Sequence, residues 1–184
     1  MNTQSVTSIG RIGVVGAGTM GHGIAQVAVA SGYEVVLADT AAAALERGAA
    51  QVAKGLGRLV DKGKLAAAER DKALARLATT GDLGAFAQVD LAIEAVVERL
   101  EVKLAVLAEL DRACPPHAIL ATNTSSISIT DIAARTRRAD RVIGMHFMNP
   151  VPMMELVEVI RGLATSDSTA SKTMDHPEQA VARQ

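Results

Sequence analysis

Tryptophan is absent from the 184 residues, and the aromatic complement is one tyrosine and two phenylalanines. The apolar content of 49% rests instead on Ala, Val, Leu and Ile, which suits an α/β protein with buried parallel strands and excludes a chain disordered throughout. There is a single cysteine, Cys114, so neither an internal disulfide nor a Cys-rich metal site can form, and a reducing cytoplasm fits best. No basic excess exists: the net charge is -1, which argues against nucleic acid or an anionic membrane as partner. Uninterrupted apolar runs of ~18 residues are missing too, and residues 1–8 are polar and lack the pattern of a secretion signal, so the expectation is a soluble, unsecreted protein with a flexible N-terminus.

What is present is a regular alternation. Residues 11–16 read as a short buried strand, 20–31 as a helix with Ile24, Val27 and Ala28 on one side, and 33–39 as a second strand. Strand, glycine-rich turn, helix and strand make a βαβ unit, whose crossover is right-handed. Residues 41–78 turn to Ala, Leu, Lys, Arg and Glu, broken near the middle by Lys62-Gly63-Lys64, and predict a helical hairpin. Strands over 89–95 and 118–122 flank a helix over 100–112, and the last two strands, over 141–146 and 154–160, are separated by the turn residues Asn149, Pro150 and Pro152. The predicted fold is α/β, a doubly wound, mostly parallel Rossmann-type sheet with a helical hairpin inserted after the second strand, spanning residues 9–165. Residues 166–184 hold only scattered apolar positions and predict a loose polar tail.

Gly16-Ala17-Gly18-Thr19-Met20-Gly21 has the G-x-G-x-x-G spacing, with a strand ending at it and a helix beginning within it. Gly16 lets the chain turn, Gly18 leaves room for a pyrophosphate, and Gly21 permits close packing of helix on sheet. The free N–H groups and partial positive charge of the helix start then face the phosphates. Asp39, about 20 residues on, can accept hydrogen bonds from the adenosine ribose, and with no arginine among the residues that follow, NAD is favoured over NADP. Its bland reading is a cap for the helix beginning near Ala41, and one carboxylate can do both.

His146 closes a predicted strand at the edge where a doubly wound sheet opens onto its ligand. An imidazole there can take a proton from a substrate hydroxyl while hydride leaves the same carbon, with a carboxylate on its second nitrogen fixing the tautomer. Glu158 is the better candidate, but Glu155 stays open. The two are an odd number of residues apart, so on one strand only one of them can face the histidine. Without more, a lone histidine at a strand end reads more readily as a hydrogen-bonded core residue than as a catalytic one.

The glycine motif together with Ala95-Val96-Val97-Glu98-Arg99-Leu100-Glu101-Val102-Lys103, Asn123-Thr124-Ser125-Ser126 and His146-Phe147-Met148-Asn149-Pro150 resembles the motif series of the 3-hydroxyacyl-CoA dehydrogenase family, over about residues 11–167. The resemblance implies NAD as cofactor and an acyl-CoA as substrate, its 3-hydroxyl being oxidised to a ketone or the reverse. It implies His146 as general base and Glu158 as its orienting carboxylate. Ser125 would bind the reacting oxygen near the nicotinamide, and Asn149 would position substrate and cofactor. Glu98 and Lys103 would approach the bound NAD, Asp39 its ribose, and Lys62 the coenzyme A. The plainer alternatives are a helix cap for Ser125, a solvated helix start for Glu98 and Lys103, and a surface charge for Lys62. Family members continue into a second, helical domain that supplies a homodimer interface; residues 168–184 do not resemble that continuation, so a binding remnant with little turnover is the alternative function. A third class, the dehydrogenases of free β-hydroxyacids, shares the glycine motif, but its lysine has no evident counterpart.

Overall fold

A computed structural model of the chain describes residues 9–174 and 180–183. The first unit is β1 (Arg11–Val15), α1 (Thr19–Ala30) and β2 (Glu34–Ala38). A long α2 (Ala42–Asp61) and a shorter α3 (Ala67–Ala75) follow, then β3 (Leu77–Thr80). The second half carries β4 (Leu91–Glu94), α4 (Leu100–Ala113), β5 (Ile119–Thr122), α5 (Ile129–Ala133), β6 (Val142–Phe147), β7 (Val157–Arg161), α6 (Asp167–Met174) and β8 (Ala180–Arg183).

The sheet order is β3-β2-β1-β4-β5-β6-β7-β8. All neighbours are parallel except β6 and β7. The winding direction reverses between β1 and β4, the switch point at whose carboxyl strand ends doubly wound sheets form their ligand crevice. The expected doubly wound sheet is therefore the observed one.

Helices cover both faces. In α2 the buried residues are Gly48, Val52 and Leu56, spaced by four so that they form one narrow stripe against α1. In α4 they are Lys103, Leu107, Leu110 and Asp111, again one face. Phe86 is fully buried over Gly13 of β1: a Cβ at Gly13 would come within 2.2 Å of the ring, so the bare strand backbone there is what admits the ring. At the end of α4, the buried Asp111 carboxylate accepts from the Arg137 amide and guanidinium at 2.9 and 3.2 Å and from Arg138 at 2.7 Å.

Three sequence expectations are corrected. The helical hairpin ends at Ala75, and Leu77–Thr80 is a strand paired with β2, because edge pairing with Val35–Ala38 supplies the hydrogen bonds that a helix would have made internally. The segment expected as a loose tail contains α6, whose Thr169, Ala170 and Thr173 are buried, and β8, paired with β7. The hydroxyl of Thr169 donates to the carbonyl of Asp140 and that of Thr165 to the carbonyl of Val142, so polar residues dock this segment. The strand expected over 154–160 begins later, at Val157, after a 3₁₀ turn at Val151–Met153. The flexible N-terminus expected for residues 1–8 and the tail positions 175–179 and 184 lie outside the described residues. Among the described residues no helix is long and apolar enough to cross a membrane.

Candidate active site

The carboxyl ends of β1, β2, β4, β5 and β6 bring most of the sequence candidates to one edge of the sheet. At the end of β1, Gly16 has φ +101°, which favours glycine, and an added Cβ would press on the Ala95 carbonyl oxygen at 2.6 Å. Gly21 is packed against the same turn: a Cβ there would fall 1.6 Å from the Gly16 carbonyl oxygen. A Cβ at Gly18 would meet nothing within 4 Å. Two glycines thus shape the corner, and the third leaves a space beside the start of α1. That space fits a pyrophosphate: Gly18 caps α1 without any side chain spanning its first N–H groups, and the first turn carries no acidic residue.

Asp39, just past β2, is partly buried and reaches back to this corner. Its Oδ2 accepts from the Ala17 amide at 2.8 Å and its Oδ1 from the Ala41 amide at 3.0 Å. The carboxylate therefore ties the glycine turn to the start of α2, while the α2 cap residue itself is Ala41.

His146 and Glu158 are directly opposite each other in the antiparallel pair β6 and β7. Nδ1 of the imidazole lies 3.1 Å from Glu158 Oε2, with about a quarter of each side chain exposed (24% and 20%). Glu155 is exposed and precedes the strand, so Glu158 is the partner. Asn123, to which the sequence assigned no task of its own, accepts from the Phe147 amide at 2.9 Å and fixes the end of β6 beside the histidine.

Glu98 and Ser125 meet across the gap between β4 and β5. Glu98 Oε1 accepts from the Ser125 amide at 3.1 Å and from the Thr124 hydroxyl, and Ser125 Oγ lies 3.5 Å away. Partial burial pushes the Glu98 carboxyl up, but the hydrogen bonds from Thr124 and Lys103, the Lys103 charge and the Ser125 amide outweigh it and hold it below the ordinary range. The cap of α5 is Ser128, whose side chain accepts from the Asp131 amide, so Ser125 is an exposed loop residue and not a helix cap.

One expectation changes. Lys103 is fully buried, bonded to Glu94 at 2.9 and 3.1 Å and to Glu98 at 3.1 Å, so its ammonium touches the crevice only through Glu98. Lys62 is exposed at the far end of α2, about 30 Å along the helix axis from Ala42, and the structure does not bring it to the other residues. Asn149 is exposed in the loop beyond β6, three positions after His146. Glu94, Thr122 and Thr124 were missed as site residues, since nothing local marks a buried polar residue at a strand end. Among the described residues no group of three or more His, Cys, Asp or Glu is arranged to hold a metal ion.

Residues 11–182 match the family described as 3-hydroxyacyl-CoA dehydrogenase, NAD binding domain, a range that takes in α6 and most of β8. A 3-hydroxybutyryl-CoA dehydrogenase of Bradyrhizobium diazoefficiens is 50% identical over 88% of this chain and 55% of its own length. One from Mycobacterium tuberculosis is 45% identical over 96% of this chain and 62% of its own. The solved structure of (S)-3-hydroxybutyryl-CoA dehydrogenase from Ralstonia eutropha superposes with a TM-score of 0.89 at 45% identity, covering 96% of this chain and 65% of that one. The chain thus spans less than two thirds of the length of these relatives. The family match over residues 11–182 and the likeness of these relatives make this chain a member of the 3-hydroxyacyl-CoA dehydrogenase family, comprising its NAD-binding domain.

Proposed function

We propose that this domain serves the NAD-dependent oxidation of the 3-hydroxyl of a 3-hydroxyacyl-CoA to a 3-ketoacyl-CoA, or the reverse reduction, with His146 as the general base. The observation that carries this reading is the cross-strand pairing that puts the Glu158 carboxylate on His146 Nδ1. A proton held between Nδ1 and the carboxylate leaves the Nε2 lone pair as the basic site for a substrate hydroxyl. As Nε2 takes that proton, the Glu158 charge stabilises the imidazolium that forms. Bound NAD supplies the acceptor for the hydride that leaves the same carbon.

The other groups bind and orient. The Gly18 space and the first turn of α1 receive the pyrophosphate, and Asp39, already holding the glycine turn, offers its remaining lone pairs to the ribose. Ser125 Oγ is the donor to the reacting oxygen, and its loop is held by Glu98. Asn149 stands beyond the histidine to position both reactants. Lys103 contributes by fixing Glu98 and not by direct contact.

Following NADH absorbance with acetoacetyl-CoA tests this. The expected result is turnover that His146→Ala lowers at least 100-fold; equal rates for the two proteins would refute the assignment. NAD binding by calorimetry with no turnover in the wild-type chain would leave a cofactor-binding unit only.

A further inference from the structure

Below the exposed residues of the crevice lies an ion cluster that the acid–base reading leaves without a task. Glu94 ends β4, paired with Val15 on one side and Thr122 on the other, and both it and Lys103 have side chains closed to solvent. Its two oxygens receive four donor contacts: Lys103 Nζ at 2.9 and 3.1 Å, the Val96 amide at 2.7 Å and the Thr122 hydroxyl at 2.6 Å. Nζ of Lys103 also lies 3.1 Å from Glu98 Oε2, and the other Glu98 oxygen accepts from Thr124 and Ser125. A continuous chain of charged hydrogen bonds therefore runs from the central strands to the Ser125 loop.

Buried ion clusters seldom stabilise a fold more than apolar residues of the same volume would. Here Leu107 and Leu110 already pack α4 onto the sheet. What the cluster adds is direction. An ammonium held by two carboxylates has no rotational freedom left, and it fixes a Glu98 side chain that is 41% exposed at the crevice edge.

We propose that Glu94 is a positioning residue for the cofactor end of the crevice: through Lys103 it sets where Glu98 and the Ser125 loop stand, without touching either reactant. This rests on the reading above that Glu98 and Ser125 face bound NAD. Thr122 acts in the same direction by holding Glu94 Oε2.

Calorimetric NAD titration of the wild-type chain, Glu94→Gln, Thr122→Val, Glu98→Gln and the Glu94→Gln/Glu98→Gln double variant tests it, with thermal melts reporting folding. The amide introduced by Glu94→Gln would present a donor where every present neighbour also donates. Glu94→Gln and Glu98→Gln should each weaken NAD binding about tenfold. The double variant should be no more than about threefold weaker than Glu98→Gln alone, because both act through one side chain. Thr122→Val, which removes a hydroxyl at constant shape, should weaken binding about threefold and keeps the test decisive if Glu94→Gln does not fold. A merely structural Glu94 would lower the melting temperature and leave NAD affinity alone, or give a double variant weakened by the product of the two single effects; either result overturns the proposal. Normal NAD binding by Glu94→Gln and Thr122→Val beside a weakened Glu98→Gln overturns the positioning role alone, whereas no NAD binding by the wild-type chain overturns the functional reading with it.

Discussion

Two glycines of one motif should respond to substitution in opposite ways, and the contrast separates binding from folding. Gly18→Asp puts a carboxylate into a space where, beyond the adjoining residues of the chain, nothing lies within 4 Å of the new Cβ, at the cap position of α1, where Asp is among the preferred residues. Stability should hold or rise by about 0.5 kcal/mol. If a pyrophosphate occupies that space, a like charge about 4 Å away costs roughly 4 kcal/mol at an effective dielectric of ~20. Screening at this exposed corner reduces the penalty, so NAD affinity should fall at least 100-fold. Gly21→Ala does the reverse. Its Cβ would fall 1.6 Å from the Gly16 carbonyl oxygen, a main-chain atom that cannot rotate aside, so α1 must lift from β1. Overpacking of this kind costs about 3 kcal/mol, or roughly 6–12 °C in melting temperature for a domain of this size. Calorimetric NAD titration and thermal melts read both quantities. A Gly18→Asp protein that melts normally and binds NAD within about threefold of wild type would refute the placement of the phosphate.

Two further predictions concern groups away from the crevice. Burial pushes the Asp111 carboxyl up, but the Arg137 amide and the two guanidinium groups bring it below the ordinary range; a carboxylate depressed in the fold stabilises above its unfolded pKa of about 3.9 and stops doing so as pH falls through the lower folded value. Asp111→Asn should therefore cost about 2–3 kcal/mol at pH 7 in urea unfolding and flatten the loss of stability as pH falls below about 4; an unchanged acid profile would refute this. Burial also raises the Cys114 thiol to about 11, so a maleimide should leave the native chain unlabelled at pH 8 and react fully in denaturant, and rapid native labelling would contradict that burial.

Legibility in the sequence followed the range of the interactions. The glycine corner was readable because a strand, a turn and a helix start are set within a single short motif, and Gly16, Gly18 and Gly21 behave in the structure as their spacing demands. The doubly wound, mostly parallel character of the sheet followed from alternation and handedness, while its strand order came from the structure. By contrast, Leu77–Thr80 carries no strong strand signal of its own and becomes a strand by pairing with β2. Lys103 reads from the sequence as a residue approaching NAD by resemblance, or more plainly as part of a solvated helix start; its burial comes with Glu94, nine positions away on another element, which spacing does not show. Around α6, Thr165 and Thr169 donate their hydroxyls to β-strand and turn carbonyls, a polar docking that hydrophobic periodicity does not register.

Taken by itself, the order of residues set the fold class and the candidate groups: a glycine corner at the first strand, a carboxylate after the second and an imidazole closing the fifth expected strand, which the structure makes β6. It also limited the imidazole to one of two glutamates, since side chains on a strand alternate. Which glutamate was a matter for the tertiary structure, because the register of β6 against β7 depends on where the loop between them ends and the strand begins, and β7 begins at Val157, beyond Glu155. The same holds for Glu94, Lys103 and Glu98, whose charges become one connected cluster only when β4, β5 and α4 exclude water around them.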